Sequence, residues 1–334
     1  MNIRDIARRA RVSHSTVSRV INRVGTVDPK MARRVQAVIE QVGYRPNYQA
    51  RALARGRSHT VGLIVTELTG GNPFFSEIIL YFERAAVEQG YEVLISFADT
   101  ETRPDHIAVC AARMQQRQVE GIAALTFGME EQLAGALLDV PVVYAGAGAD
   151  VEGVRTVRIN YVPGFREAIK HLADFGHRRI GYLSGRLGWS SMRTRYDSLR
   201  RVMRLAGLPL ERELVAECDH TWEGGALGMG SLLSLPKPPT AVLCCNDVAA
   251  VGAMKTLAAR GMQAGRDISL IGMDDLTICQ FTQPPLTSIQ FSPREIAALA
   301  FHALLEEIQQ VPRKTRFEYQ TRLVLRESTC APRD

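Results

Sequence analysis

Residues 3–22 read IRDIARRARVSHSTVSRVIN, two short amphipathic segments placed back to back. Ile3, Ile6, Ala7 and Ala10 recur at helical spacing, with Asn2 as N-cap and Asp5 three residues further on. Arg11-Val12 makes a turn, and Ser13 caps a second helix over 14–22. In that helix Val17, Val20 and Ile21 form one apolar stripe. His14, Ser15, Ser18, Arg19 and Asn22 fall on the opposite side, with Thr16 near its edge. Hydroxyl side chains compete with the backbone for hydrogen bonds and are poor helix-interior residues, so a run of them calls for a partner outside the helix. Asp28-Pro29 then opens a third helix carrying Met31, Val35, Val38, Ile39 and Val42, and Gly43 closes it.

Two helices joined by a tight turn and braced by a third match a helix-turn-helix, in which the second helix enters a DNA major groove. Charge agrees. Residues 1–60 hold thirteen Lys/Arg against three acids, +10, while the remainder has 28 basic and 32 acidic residues, net −4. A basic head on a mildly acidic body points to a polyanion at the head. In that setting Arg19 can donate twice to a guanine, and the hydroxyls can bond to phosphates or bases. A three-helix bundle with a solvated basic face is the plainer reading.

The 334 residues exceed one ordinary core and imply two or three domains. With 46% hydrophobic and 23% charged residues, the composition is that of a soluble globular protein. No apolar run reaches the roughly 20 residues of a membrane span, and the N-terminus has no signal-like apolar segment, so the expectation is a cytoplasmic protein with no membrane partner. Cys110, Cys218, Cys244, Cys245, Cys279 and Cys330 have the spacing of neither a metal site nor a disulfide framework, and are expected to be reduced thiols.

From Val61 the pattern becomes strand–helix alternation. Strands are predicted at 61–66, 91–97, 121–125, 141–145, 179–184, 240–245 and 268–273, with helices such as Phe75–Gln89 and Asp247–Arg260 between them. The run divides into halves of similar grammar, 61–160 and 162–290. Two Rossmann-like lobes facing a cleft follow, with ligand at the carboxyl ends of the strands.

The recognition helix, GYRPNYQARALARGRSHTVGLIV at 43–65 and the body together resemble the LacI/GalR family of bacterial repressors over nearly the whole chain. The resemblance implies an α/β chain: an N-terminal three-helix helix-turn-helix head plus hinge helix, then two Rossmann-like lobes of periplasmic-binding-protein type. It divides the chain into a DNA-binding domain at 1–46, a hinge helix at 47–60, an N-lobe of 61–160 with 291–320, and a C-lobe of 161–290 with 321–330. His14 and Ser15 become the base-choosing pair, Thr16 and Ser18 backbone or base contacts, Arg19 a base-reading arginine and Asn22 a phosphate-side contact. Tyr48, Arg51, Leu53 and Arg55 lie in the hinge, which folds on the operator in the family, with Leu53 as a minor-groove wedge. A leucine packed on the body is the other reading of that position.

In the body the same resemblance assigns effector contacts to Phe74, Phe75, Arg195, Trp222, Asn246, Asp247 and Asp274. Each has a plainer role open to it: Phe75 and Trp222 as core, Arg195 as surface charge, Asp247 as a helix cap. Two departures stand out. Gly146-Ala147-Gly148-Ala149 replaces an Asp-Arg common in the family, and Tyr-Asp-Ser-Leu follows Arg195 where small residues are usual. Aromatics, a guanidinium, an amide and carboxylates suit a sugar, sugar derivative or nucleoside.

Two rival classes fit less well. An enzyme would need a nucleophile–base–orienter set that the sequence does not offer. The glycines of GYLSGRLG (181–188) lack phosphate-loop order, and His177 reads as a structural histidine. An exported solute-binding protein would not carry a basic head. The expectation is a transcriptional repressor without cofactor or metal, controlled by a small effector. It binds a pseudo-palindromic double-stranded operator as a homodimer, since the C-terminal residues show no leucine heptads for a tetramer.

Overall fold

The computed structural model describes residues 2–22, 25, 27–44, 57–66, 72–98, 105–125, 139–146, 154–312 and 317–333. They fall into two units, Met1–Ser58 and His59–Asp334.

The first unit contains α1 (Ile3–Ala10), α2 (His14–Asn22) and α3 (Pro29–Val42). Helix α1 starts on the expected capping box, in which the Asn2 side chain accepts from the Asp5 amide and Asp5 accepts from the Asn2 amide. It stops because Arg11 adopts the left-handed region at φ 52°. The guanidinium of Arg34 on α3 donates to the Arg11 carbonyl at 2.9 Å, pinning that turn. Asp28 caps α3 through the Lys30 and Met31 amides, and Gly43 ends it at φ 59°. Ile6, Ala7, Ala10, Val17 and Val35 form the core, lined by Val20, Ile21, Val38 and Ile39. Met31, in the first turn of α3, is exposed instead.

The second unit holds two six-stranded sheets. The first comprises β1 (Thr60–Thr66), β2 (Glu92–Ala98), β3 (Ile122–Leu125), β4 (Val142–Gly146), β5 (Arg155–Asn160) and β11 (Phe317–Gln320), in the order β11-β5-β4-β3-β1-β2 and parallel throughout. The second comprises β6 (Ile180–Ser184), β7 (Val215–Glu217), β8 (Ala241–Cys244), β9 (Ser269–Asp274), β10 (Thr287–Gln290) and β12 (Arg322–Val324), in the order β12-β10-β9-β8-β6-β7. Only β12 runs antiparallel. Helices α4 (Pro73–Glu88), α5 (His106–Gln116) and α10 (Pro293–Ile308) pack on the first sheet; α6 (Val162–Asp174), α7 (Ser190–Leu205), α8 (Trp222–Leu233) and α9 (Asp247–Ala259) pack on the second.

All seven predicted strands are present. The five that the sequence reading passed over are short, edge-placed or polar, such as VAE and the buried TSIQ. Each sheet reverses its strand order once, between β1 and β3 and between β6 and β8, which is where ligands bind in such folds. Helices α8 and α9 cross so closely that a Cβ at Gly252 would strike the Trp222 carbonyl.

The chain passes between the sheets three times, after β5, after β10 and after β11. The passages are bonded together. Thr321 donates its amide and its hydroxyl to the Asn160 carbonyl, each at 3.1 Å, and its hydroxyl accepts from the Gly164 amide at 3.2 Å. The Tyr319 hydroxyl accepts from the Ser292 amide at 3.0 Å. His177 is fully buried and ties the chain end to the second sheet through Thr240, Ser269 and the Cys330 carbonyl at 2.8–2.9 Å, the structural role expected of it. All six cysteines are free, and five are buried. Among the described residues, no helix is long and apolar enough to cross a membrane.

Candidate nucleic-acid interface and effector cleft

On α2 the buried Val17 fixes the rotation of the helix. His14, Ser15 and Arg19 are exposed, and Thr16 and Ser18 are half-buried beside them. Asn22 ends the helix, and its side chain lies outside the description. The Ser13 hydroxyl sits 2.7 Å from that of Ser15 and 2.8 Å from that of Thr16, and accepts from the Thr16 amide at 3.1 Å. Part of the hydroxyl cluster therefore builds the N-cap of α2, a local role the sequence reading gave to Ser13 alone. What remains outward is an imidazole, short hydroxyls and a guanidinium on one narrow helix face, a set able to approach base edges and phosphates. Tyr48, Arg51, Leu53 and Arg55 lie outside the described residues.

In the second unit the predicted effector residues separate into two groups. Phe74 and Arg195 join one cluster through two residues not foreseen, Tyr161 and Phe291, which stand at the passages between sheets. The Phe74 and Phe291 rings stack at 4.9 Å and 11°. The Arg195 guanidinium lies 4.8 Å from the Tyr161 ring and 5.8 Å from the Phe291 ring. It donates to the Tyr161 hydroxyl at 3.1 Å and to the Cys245 carbonyl. Phe75 meets Phe74 edge-on at 5.5 Å and is half-buried against the main core.

Asp274 ends β9 with φ 115°, a conformation costly for a residue with a Cβ and held here by the surrounding fold. Burial pushes its carboxyl well above the usual carboxylate range, the Asp247 charge adds to this, and Arg195 opposes it. Burial alone would disfavour charge on Arg195. Tyr161, Tyr182 and Asp274 act the other way and hold its guanidinium above the ordinary arginine value.

The second group sits around the ends of β8 and β9. Asn246 caps α9 by accepting from the Ala249 amide at 2.7 Å, and its Nδ2 donates to the His220 carbonyl at 3.4 Å. Asp247 has both oxygens engaged, accepting from the Leu276 amide at 2.8 Å and from the Ser288 hydroxyl at 2.6 Å. Burial pushes its carboxyl up to about 7 against those bonds. The helix cap is thus Asn246, and Asp247 braces β10 and the start of the turn after β9. Trp222 is half-buried at the start of α8 against the main core.

The sequence reading also missed the loop after β6. Trp189 stacks on His220 at 5.4 Å and 18°. Burial, and then the Arg195 charge, lowers the His220 imidazole to about 4, leaving it neutral. Gly185 makes room for that ring, since a Cβ there would strike the imidazole. Ser191 Oγ and Arg195 Nε are buried without a hydrogen-bond partner, two polar atoms whose desolvation a polar ligand would offset. The signal for Ser191 was available, because it precedes Arg195 by one helical turn on the same face of α7. Tyr161 and Phe291 carried no local signal. Of the replaced Asp-Arg position, Gly146 ends β4, and residues 147–149 lie outside the description.

The arrangement offers donors, neutral acceptors and flat apolar faces, which suit binding. Among the described residues, no group of three or more His, Cys, Asp or Glu could hold a metal.

A basic three-helix head with an outward-facing second helix, joined in one chain to paired parallel sheets, defines a ligand-responsive DNA-binding regulator. Residues 2–47 match the family described as "Bacterial regulatory proteins, lacI family", and residues 169–329 match "Periplasmic binding protein-like domain". The HTH-type transcriptional repressor PurR of Actinobacillus pleuropneumoniae serotype 3 (strain JL03) is 33% identical over 98% of this chain and 97% of that protein. The chain belongs to the LacI family of bacterial transcriptional regulators. The lac repressor dimer bound to operator and the anti-inducer ONPF is a structural neighbour at TM-score 0.90, with 26% identity and 99% of both chains covered. The transcriptional regulator CelR in complex with cellobiose aligns at TM-score 0.73 with 27% identity, covering 98% of this chain and 99% of that one.

Proposed function

We propose that the protein is a cytoplasmic repressor that grips a pseudo-palindromic operator as a homodimer and changes its grip when a small polyhydroxylated effector enters the cleft. The observation that carries the operator half is the rotation of α2, which buries Val17 and turns His14, Ser15 and Arg19 outward. The domain division is 1–46, 47–60, 61–160 with 291–320, and 161–290 with 321–330, with Tyr48, Arg51, Leu53 and Arg55 of the hinge contacting DNA, Leu53 as a minor-groove wedge. One head reads too few base pairs for useful selectivity, so two heads act together. Leu227 (74%) and Phe281 (78%) on the second lobe, with Leu80 and Val87 on the first, are exposed apolar side chains that a second copy would cover.

The effector is a sugar, sugar derivative or nucleoside. Arg195, Ser191 and Asp274 supply its polar partners, Asn246 and Asp247 hold the cleft floor, and Phe74, Phe75 and Trp222 supply apolar walls. An effector that binds one lobe arrangement better shifts the balance between operator-competent and operator-incompetent states. Calorimetric titration of the full-length protein with panels of sugars, phosphosugars and nucleosides, followed by operator gel shifts with each hit, tests both halves. Saturable binding that moves operator affinity is the expected result. Operator binding with a near-flat salt dependence would overturn the phosphate-neutralising head.

A further inference from the structure

Away from the cleft, α6 and α7 leave a groove of about 680 Å³ between them on the second lobe. Its floor is apolar, with Val162, Ile169, Ala173 and Val202, and Leu205 stands at its edge 74% exposed. Arg166, Lys170 and Arg201 line its rim, all exposed. Lys170 pairs with Asp174, whereas Arg166 and Arg201 have no acid partner among the described residues. The charge around the groove opposes that of its surroundings. Its lining carries three basic side chains and no acid, inside a body from residue 61 onward whose net charge is −4. Of the two acids on α6, Asp174 pairs with Lys170, and Glu167 accepts from the Leu323 amide.

We propose that this groove docks an acidic amphipathic helix of a partner protein. Its walls are two helices, so a third helix can lay an apolar stripe on the floor, with anchors at i, i+3 or i+4 and i+7. Helix α7, 16 residues long, runs about 24 Å, enough to flank four turns. Carboxylates beside that stripe would meet Arg166 and Arg201 in paired hydrogen bonds. A small molecule fits less well. The polar side chains lining the groove are exposed or half-buried, so none is fixed in a dry pocket to orient a ligand, unlike Ser191 and Arg195 in the cleft. A DNA duplex would satisfy the arginines but leave the apolar floor and Leu205 uncovered.

The test uses the full-length protein and three fluorescein-labelled, hydrocarbon-stapled peptides of about 16 residues, a length matched to α7. One has leucines on a single face and glutamates elsewhere. The second has the same composition with the leucines scattered, and the third has lysine in place of glutamate. Fluorescence anisotropy should show saturable binding of the first at least tenfold tighter than of the other two. The double substitution Arg166→Glu with Arg201→Glu should weaken it at least tenfold, and Leu205→Ser severalfold, while circular dichroism melting and operator affinity stay as in the parent. Charge reversal at Arg212, which does not line the groove, should leave peptide affinity unchanged. Equal binding of the scattered peptide, indifference to the groove substitutions, or displacement of the peptide by random-sequence duplex would each overturn the proposal.

Discussion

The head and the body handle polar side chains in opposite ways. On α2, His14, Ser15 and Arg19 stay in water over a small core, and the helix face is defined by what lies beneath it. In the body, Arg195, Ser191 and Asp274 are taken out of water, and their protonation and orientation are set by neighbours. The first arrangement suits a large polyanion that arrives with its own charge. The second suits a small ligand that must supply the missing hydrogen bonds. The contrast teaches that exposed sites are governed by core packing, and buried sites by electrostatics.

The strongest way to break this contrast is Val17→Asp. It puts an unpaired carboxylate in a five-residue core, so the head should unfold and operator binding should vanish in gel shifts, while calorimetric effector binding by the body persists. Loss of effector binding along with it would show that the two parts do not fold separately. Arg19→Ala should leave the head folded and cost about 1–3 kcal/mol per operator half-site, roughly 5- to 150-fold, at fixed salt. Asp274→Asn removes the charge that burial already disfavours, so the fold should hold, while effector affinity drops about tenfold or more and basal operator affinity stays.

The smallest effect is in pH. His220 has a folded pKa of about 4, below the unfolded value near 6.5, so its neutral form contributes stability that is present above pH 6.5 and lost as pH falls towards 4. Asp247 acts with the opposite trend over its own range. Its folded value near 7 lies above the unfolded one near 4, so its stability contribution is full below pH 4 and lost as pH rises to 7. Chemical denaturation from pH 4 to 7 should show the His220→Gln variant losing less stability than the parent on the acid side. Identical slopes would mean that His220 titrates in the folded protein as it does in the unfolded chain.

Much of this was legible in the sequence because it is local. Caps at Asn2, Ser13 and Asp28, the left-handed Gly43, and seven apolar strands each need only a few neighbouring residues. Strands β10 and β11 were not legible, since their polar residues are buried or alternate only because distant segments cover them. The same limit applies to the site. Phe74 and Arg195 lie in the helices after β1 and β6, Asp274 ends β9, and all three could be placed by resemblance. Tyr161 and Phe291 matter because three passages of the chain converge, and no spacing in the sequence announces that. The stacked Trp189–His220 pair likewise joins two loops 31 residues apart.

The bonded passages between the sheets have a mechanical meaning. With Asn160, Thr321 and the Tyr319–Ser292 pair stitched at one edge of the cleft, the lobes cannot slide past one another without tearing several hydrogen bonds. What the seam leaves cheap is a swing about itself, like the covers of a book turning on the spine. An effector that acts as proposed would therefore have to act through an angle between the lobes.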